Sequence, residues 1–130
     1  MKDVIWLGSS NDDVRDFPQE VREEVGFALF LAQRGDKAIN AVPLVGFGNA
    51  MVPEIIVDHA GDTYRAVYTV QFEHAVYVLH AFKKKAKRGR QTPKSEIDLI
   101  KRRLKQARAD YEAMYGKKAV RKRNVGTQGR

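Results

Sequence analysis

The chain has 130 residues, 43% hydrophobic and 31% charged, with 24 lysines and arginines against 16 carboxylates and a net charge of +8. This length holds one domain with a core and is short for two. The absence of cysteine excludes disulfides, thiolate metal sites and a cysteine nucleophile, and no run of about 18 apolar residues offers a membrane span.

In chain order, Val4–Gly8 (VIWLG) is β-branched and aromatic and reads as a strand. The opening MKDVIWLGSSNDD lacks the apolar stretch of a secretion signal, so a cytoplasmic location is expected. Ser10 with Asp13 three residues later has the form of a capping box and predicts a helix start. Pro18 interrupts that helix and suits the first turn of a second. There Val21, Val25, Ala28, Leu29 and Ala32 recur at helical spacing. Phe27, Phe30 and Leu31 widen the apolar surface, so this helix is expected to be well buried, with Gly35 ending it.

Residues 36–50 (DKAINAVPLVGFGNA) predict a loop with at most a short strand. Three β-like runs follow at 51–59, 63–72 and 75–82. Their links are short enough for an antiparallel meander, with Pro53 placing the first run at an edge or near a strand end. Thr92 as N-cap and Pro93 in the first turn predict a last helix. Along it Ile97, Ile100, Leu104, Ala107, Tyr111 and Met114 form one apolar stripe, and Gly116 ends it. The fold class is therefore α+β: a helical layer over one face of a small antiparallel sheet. Residues 1–116 form the domain, and 117–130, charged and aperiodic, form a basic tail expected to be mobile.

Charge is unevenly placed. Residues 1–82 carry 6 Lys/Arg and 12 Asp/Glu, a net of −6, whereas 83–130 carry 18 and 4, a net of +14. Such asymmetry favours a polyanionic partner, RNA, DNA or an acidic protein. Within HAFKKKAKRGRQTPKSEI (80–97), Lys83, Lys84, Lys85, Lys87, Arg88 and Arg90 fall within eight positions. They lead into a helix whose outer face carries Lys94, Lys101, Arg102, Arg103, Lys105 and Arg108. A solvated charge run and a rigid cationic ridge for a nucleic-acid backbone are the two readings. Arg65, in the middle of a strand, is either solvent-facing and paired with Glu54 or Asp62, or a fixed guanidinium aimed at a phosphate. His59, His74 and His80 are not at metal spacing. His80 alternates with Val76, Val78 and Phe82 and reads as a partly buried histidine with one hydrogen-bond partner. GFGN at 46–49 lacks the Lys-Ser/Thr of a phosphate loop, and there is no GxSxG.

Taken in order, WLGSS, LAQRG, PLVGFG, GDTYRAVY and VLHAFKKK with the following TPKSEI resemble the phage-related branch of the HigB/RelE toxin superfamily, over roughly residues 4–110. The resemblance implies a compact α+β fold with a curved antiparallel sheet, RelE/ParE-like, packed by two N-terminal helical segments and a C-terminal helix. It implies a type II toxin that is a ribosome-dependent mRNA endoribonuclease. Such an enzyme uses the RNA's own 2′-hydroxyl and no metal or other cofactor. Arg65 matches the strand arginine that contacts the scissile phosphate. Lys84, with Lys83 or Lys85, matches the basic position at the end of the last strand, and Glu54 matches a strand glutamate. Relatives often carry an arginine two positions beyond that glutamate, where Ile56 stands here. Lys87, Arg88, Arg90, Lys94, Lys101, Arg102 and Lys105 would hold RNA. The implied partners are mRNA, the ribosome and a cognate antitoxin of helix-turn-helix type, with no membrane. Two alternatives stay open: a toxin of the same fold acting on gyrase, and a non-catalytic module binding nucleic acid or antitoxin.

Overall fold

A computed structural model describes residues 1–48, 51–84 and 91–116. The chain order is β1 (Asp3–Trp6), α1 (Ser10–Arg15), α2 (Gln19–Gln33), β2 (Ala41–Pro43), β3 (Pro53–His59), β4 (Asp62–Thr69), β5 (Ala75–Lys84) and α3 (Lys94–Tyr115). The five strands form one sheet in the order β1-β5-β4-β3-β2. The α+β class expected from the sequence is what the chain adopts. The sheet is uncurled rather than curved, and it is mixed rather than antiparallel throughout because β1 lies parallel to β5, with Asp3 opposite Ala75 and Trp6 opposite Val78. The other pairings are antiparallel.

Helices cover both faces of the sheet, not one. Val21, Val25, Ala28, Leu29 and Ala32 of α2 pack with Val14 of α1 against Ala66, Tyr68, Val76, Val78 and Ala81. On the other face Ile100, Ala107 and Tyr111 of α3 pack against Val67, Tyr77, Leu79 and Phe72. A strand sandwiched this way is covered on both sides, and seven of the eight residues of β4 are buried, the polar Thr63, Arg65 and Thr69 among them. The predicted stripe of α2 is its buried face, but Phe27 and Phe30 stay outside, 60% and 39% exposed.

Three local features differ from the sequence expectation. Ser9, not Ser10, stands at the N-cap of α1 and donates to Asp13 Oδ2 at 2.8 Å. Ser10 is buried, with its Oγ donating to the Val78 carbonyl at 3.3 Å. Pro93, not Thr92, occupies the N-cap position of α3. Finally, Val67 pairs with His80 and Tyr68 with Val78, so Leu79 is the extra residue of a β-bulge. The hairpin between β3 and β4 closes with Ala60 and Gly61 at φ 51° and 86°, the positive-φ pair that a tight two-residue turn requires.

Candidate nucleic-acid interface

At the end of the α3 face the sheet buries charge. Glu54 of β3 lies opposite Val67, and Arg65 of β4 lies opposite Ile56, which makes the two diagonal neighbours on one face. Arg65 Nη1 donates to Glu54 Oε1 at 3.1 Å and to Thr92 Oγ1 at 3.2 Å. Thr92 Oγ1 in turn donates to Glu54 Oε2 at 2.9 Å. The three side chains close a ring that ties Thr92, one residue ahead of the N-cap Pro93, to two strands. Of the alternatives read for Arg65, its partner is Glu54, yet it is not solvent-facing, being only 2% exposed. Burial pushes the Glu54 carboxyl up from its ordinary value, against the pull of Arg65, Thr92 and Lys84.

The strand-end lysines part company. Lys84 lies opposite Thr63 and Lys83 opposite Tyr64, so by strand alternation they face opposite sides of the sheet. Lys83 reaches Asp62 at 3.4 Å and lies 5.9 Å from the centre of the Tyr64 ring. Lys84 stays on the side of Arg65 and Glu54 and donates to the Gln91 carbonyl at 2.8 Å. It opens a groove whose walls include Thr92, Pro93, Lys94, Ile97 and Lys101. Lys94 is exposed and pairs with Asp98 of the same groove, 3.1 Å away, and the Lys101 ammonium sits 5.9 Å from the Phe47 ring centre. Arg102 and Lys105 are exposed further along α3. Lys85, Lys87, Arg88 and Arg90 lie outside the described residues.

Not every cation of α3 belongs to that face. Arg103 turns inward, donating to the carbonyl of the bulge residue Leu79 at 3.0 Å. Arg108 reaches Gln71 Oε1 at 3.3 Å. Tyr64, Tyr68 and Tyr77 are all buried and give no exposed platform for base stacking. His80 is a buried histidine with its Nε2 2.6 Å from Glu96 Oε1. The bulge moves it off the face of Val76 and Val78, so it stacks with Phe82 on the α3 side. Sequence reasoning missed the parts played by Thr92, Gln91 and Glu96. The only signal was their position in the short approach to α3, which local propensity reads as capping. Among the described residues no group of three His, Asp or Glu side chains gathers to hold a metal, and no helix is long and apolar enough to cross a membrane.

Fold and site together define a small α+β protein with a lysine-lined groove beside a buried ion pair. The chain belongs to the family described as phage derived protein Gp49-like (DUF891), whose model matches residues 12–105. This family is toxin-like, of RelE/HigB type. No curated protein and no solved structure matches the chain.

Proposed function

We propose that this protein is the toxin of a toxin–antitoxin pair and acts by cutting mRNA on the ribosome, restrained by a cognate antitoxin of helix-turn-helix type. The observation that carries the reading is the groove lined from two elements by Lys84 of β5 and by Lys94 and Lys101 of α3, with Asp98 the one carboxylate among its described residues. A ribose-phosphate chain laid there meets cations fixed by a strand end and a helix, which preorganises charge where a phosphorane would develop. In the reaction the 2′-hydroxyl attacks the adjacent phosphorus as its proton leaves. The bond from phosphorus to the 5′-oxygen breaks, and that oxygen takes up a proton, giving a 2′,3′-cyclic phosphate and a 5′-hydroxyl. The RNA brings its own nucleophile, so the protein needs neither serine nor cysteine. Lys84 is the group assigned to the phosphate. Arg65 and Glu54, below the surface, act as positioning residues by fixing Thr92 and the approach to α3.

Primer extension on cellular mRNA after induction tests this. Wild type is expected to leave discrete cuts, and Lys84→Ala to remove them while retaining the fold. Continued cutting by Lys84→Ala overturns the assignment of Lys84. Absence of cuts with wild type overturns the ribonuclease reading. A second reading, binding without cutting, is favoured by one observation: the Arg65 guanidinium is engaged with Glu54 and Thr92. It predicts RNA binding with no cuts. In either case replacing Lys84, Lys94 or Lys101 by Ala should lower the salt slope of RNA binding by about 1 each.

A further inference from the structure

The opposite side of the molecule carries a surface of different chemistry. Along α2, Glu20, Glu23, Glu24, Phe27 and Leu31 follow one another at helical spacing, and with Ile39 they line a groove between α2 and the segment leading to β2. The buried stripe of α2 already fills the core, so this is a second stripe on the same helix. Phe27 is 60% exposed and Ile39 fully exposed, and the Phe27 and Phe30 rings lie 6.5 Å apart. Large apolar side chains grouped on a surface and rimmed by charge mark a contact site. Here three glutamates outnumber the one lysine among the described residues of the lining, Lys37, in a protein whose net charge is +8.

We propose that this groove docks a basic amphipathic helical segment of a partner protein, its apolar side chains seated on Phe27, Leu31 and Ile39 and its lysines or arginines facing Glu20, Glu23 and Glu24. The inference goes beyond the reading of the lysine groove and stands whether or not that groove cuts RNA. The acidic rim repels nucleic acid, so the occupant is a protein. A partner strand is disfavoured, because the edge strand β2 has three residues and ends on Pro43, which has no N–H to offer. A second copy joined symmetrically through this groove would gather two sets of three glutamates in one interface, with only the Lys37 of each copy to offset them. The chain's own residues 117–130 are basic, but their largest apolar side chains are Val120 and Val125, too small and too few to fill the groove.

The test uses the full chain and two labelled helix-forming peptides. One has leucine at every third or fourth position with lysine between; the other has glutamate in place of each lysine. Fluorescence anisotropy is expected to show binding of the lysine peptide only. Phe27→Asp, or independently Ile39→Asp, should weaken it by about tenfold or more. The triple change Glu20→Gln, Glu23→Gln, Glu24→Gln should weaken it and flatten its salt dependence. Both apolar positions are exposed, and circular dichroism melts serve as the control for folding. Equal binding of the two peptides overturns the proposal, as does indifference to both Asp variants. So does a wild-type dimer, seen by light scattering, that Phe27→Asp dissociates. Tighter peptide binding on removal of 117–130 would also overturn it, since the tail would then be the occupant.

Discussion

The two faces of the sheet are built from different materials. Under α1 and α2 the core is mainly aliphatic, Val21, Val25, Ala28 and Ala32 against Ala66, Val76, Val78 and Ala81, with Phe17, Tyr64 and Tyr68 set among them and, among the described residues, no buried charge. Under α3 it is aromatic at one end, where Phe72 stacks on Tyr111 with ring centroids 4.6 Å apart. At the other end it turns ionic, holding Glu54, Arg65 and His80. A face without buried charge closes on itself with no ion to satisfy. A buried charge needs a partner in a fixed place, so the ionic end ties β3, β4, Thr92 and α3 into one arrangement, and the lysine groove lies beside it. One face supplies stability, and the other exchanges some of it for geometry.

The sharpest break in that comparison comes from Arg65→Ala. It leaves the Glu54 carboxylate buried without its guanidinium and is expected to destabilise by about 3–5 kcal/mol, read as a fall in the urea midpoint. Leu29→Ala on the aliphatic face, a cavity of ordinary kind, should cost about 2–5 kcal/mol and leave RNA binding intact. Replacing Glu54 by Gln and Arg65 by Met together should cost less than Arg65→Ala alone, because no charge is then stranded. A loss below about 1 kcal/mol for Arg65→Ala, the range of an exposed pair, would mean that water reaches this end of the sheet.

A smaller effect is expected where Arg103 of α3 meets Gly8, in the turn between β1 and α1. Gly8 has φ 54°, and a Cβ there would lie 2.5 Å from Arg103 Cζ. Gly8→Ala therefore meets both backbone strain, of about 1–3 kcal/mol, and a guanidinium that must move off the Leu79 carbonyl. A lowered melting temperature is expected. Arg103→Ala combined with Gly8→Ala should restore only the steric part, since the left-handed backbone remains.

How much of this was legible follows from range. The stripes of α2 and α3 repeat within a few residues, so periodicity alone marked Val21, Val25, Ala28, Leu29 and Ala32, and later Ile100, Ala107 and Tyr111, as buried. The meander of β3, β4 and β5 was legible because its links are short. Glu54 was on the page as a partner for Arg65, but its burial was not, since burial depends on α3 arriving over that face. The parallel docking of β1 on β5 joins residues about seventy apart and has no local mark. The bulge at Leu79 was invisible too: VYVLHAF alternates as smoothly as an unbroken strand. The slip it introduces carried His80 to the opposite face from the one that alternation assigned. The cationic cluster was conspicuous by composition, yet only strand register separates Lys84, facing the groove, from Lys83, facing Asp62.

The smallest expected effect tests how that ionic end is balanced. Burial raises the Glu54 carboxyl above its ordinary value, while Arg65, Thr92 and Lys84 pull it down. A raised folded value means that the fold binds the protonated form more tightly than the unfolded chain does. The resulting stability is fully present below the unfolded value and is lost as pH rises through the folded one. Glu54→Gln does not titrate, so it serves as the reference. The stability of wild type minus that of Glu54→Gln should fall as pH rises from the free-carboxyl value toward neutrality, with other carboxylates cancelling in the difference. Urea midpoints of both proteins across that range measure it. A difference that rises with pH would reverse the balance: the attraction of Arg65 would then outweigh burial. The ionic end of the sheet would be a source of stability at neutral pH, and its contrast with the aliphatic face would rest on geometry alone.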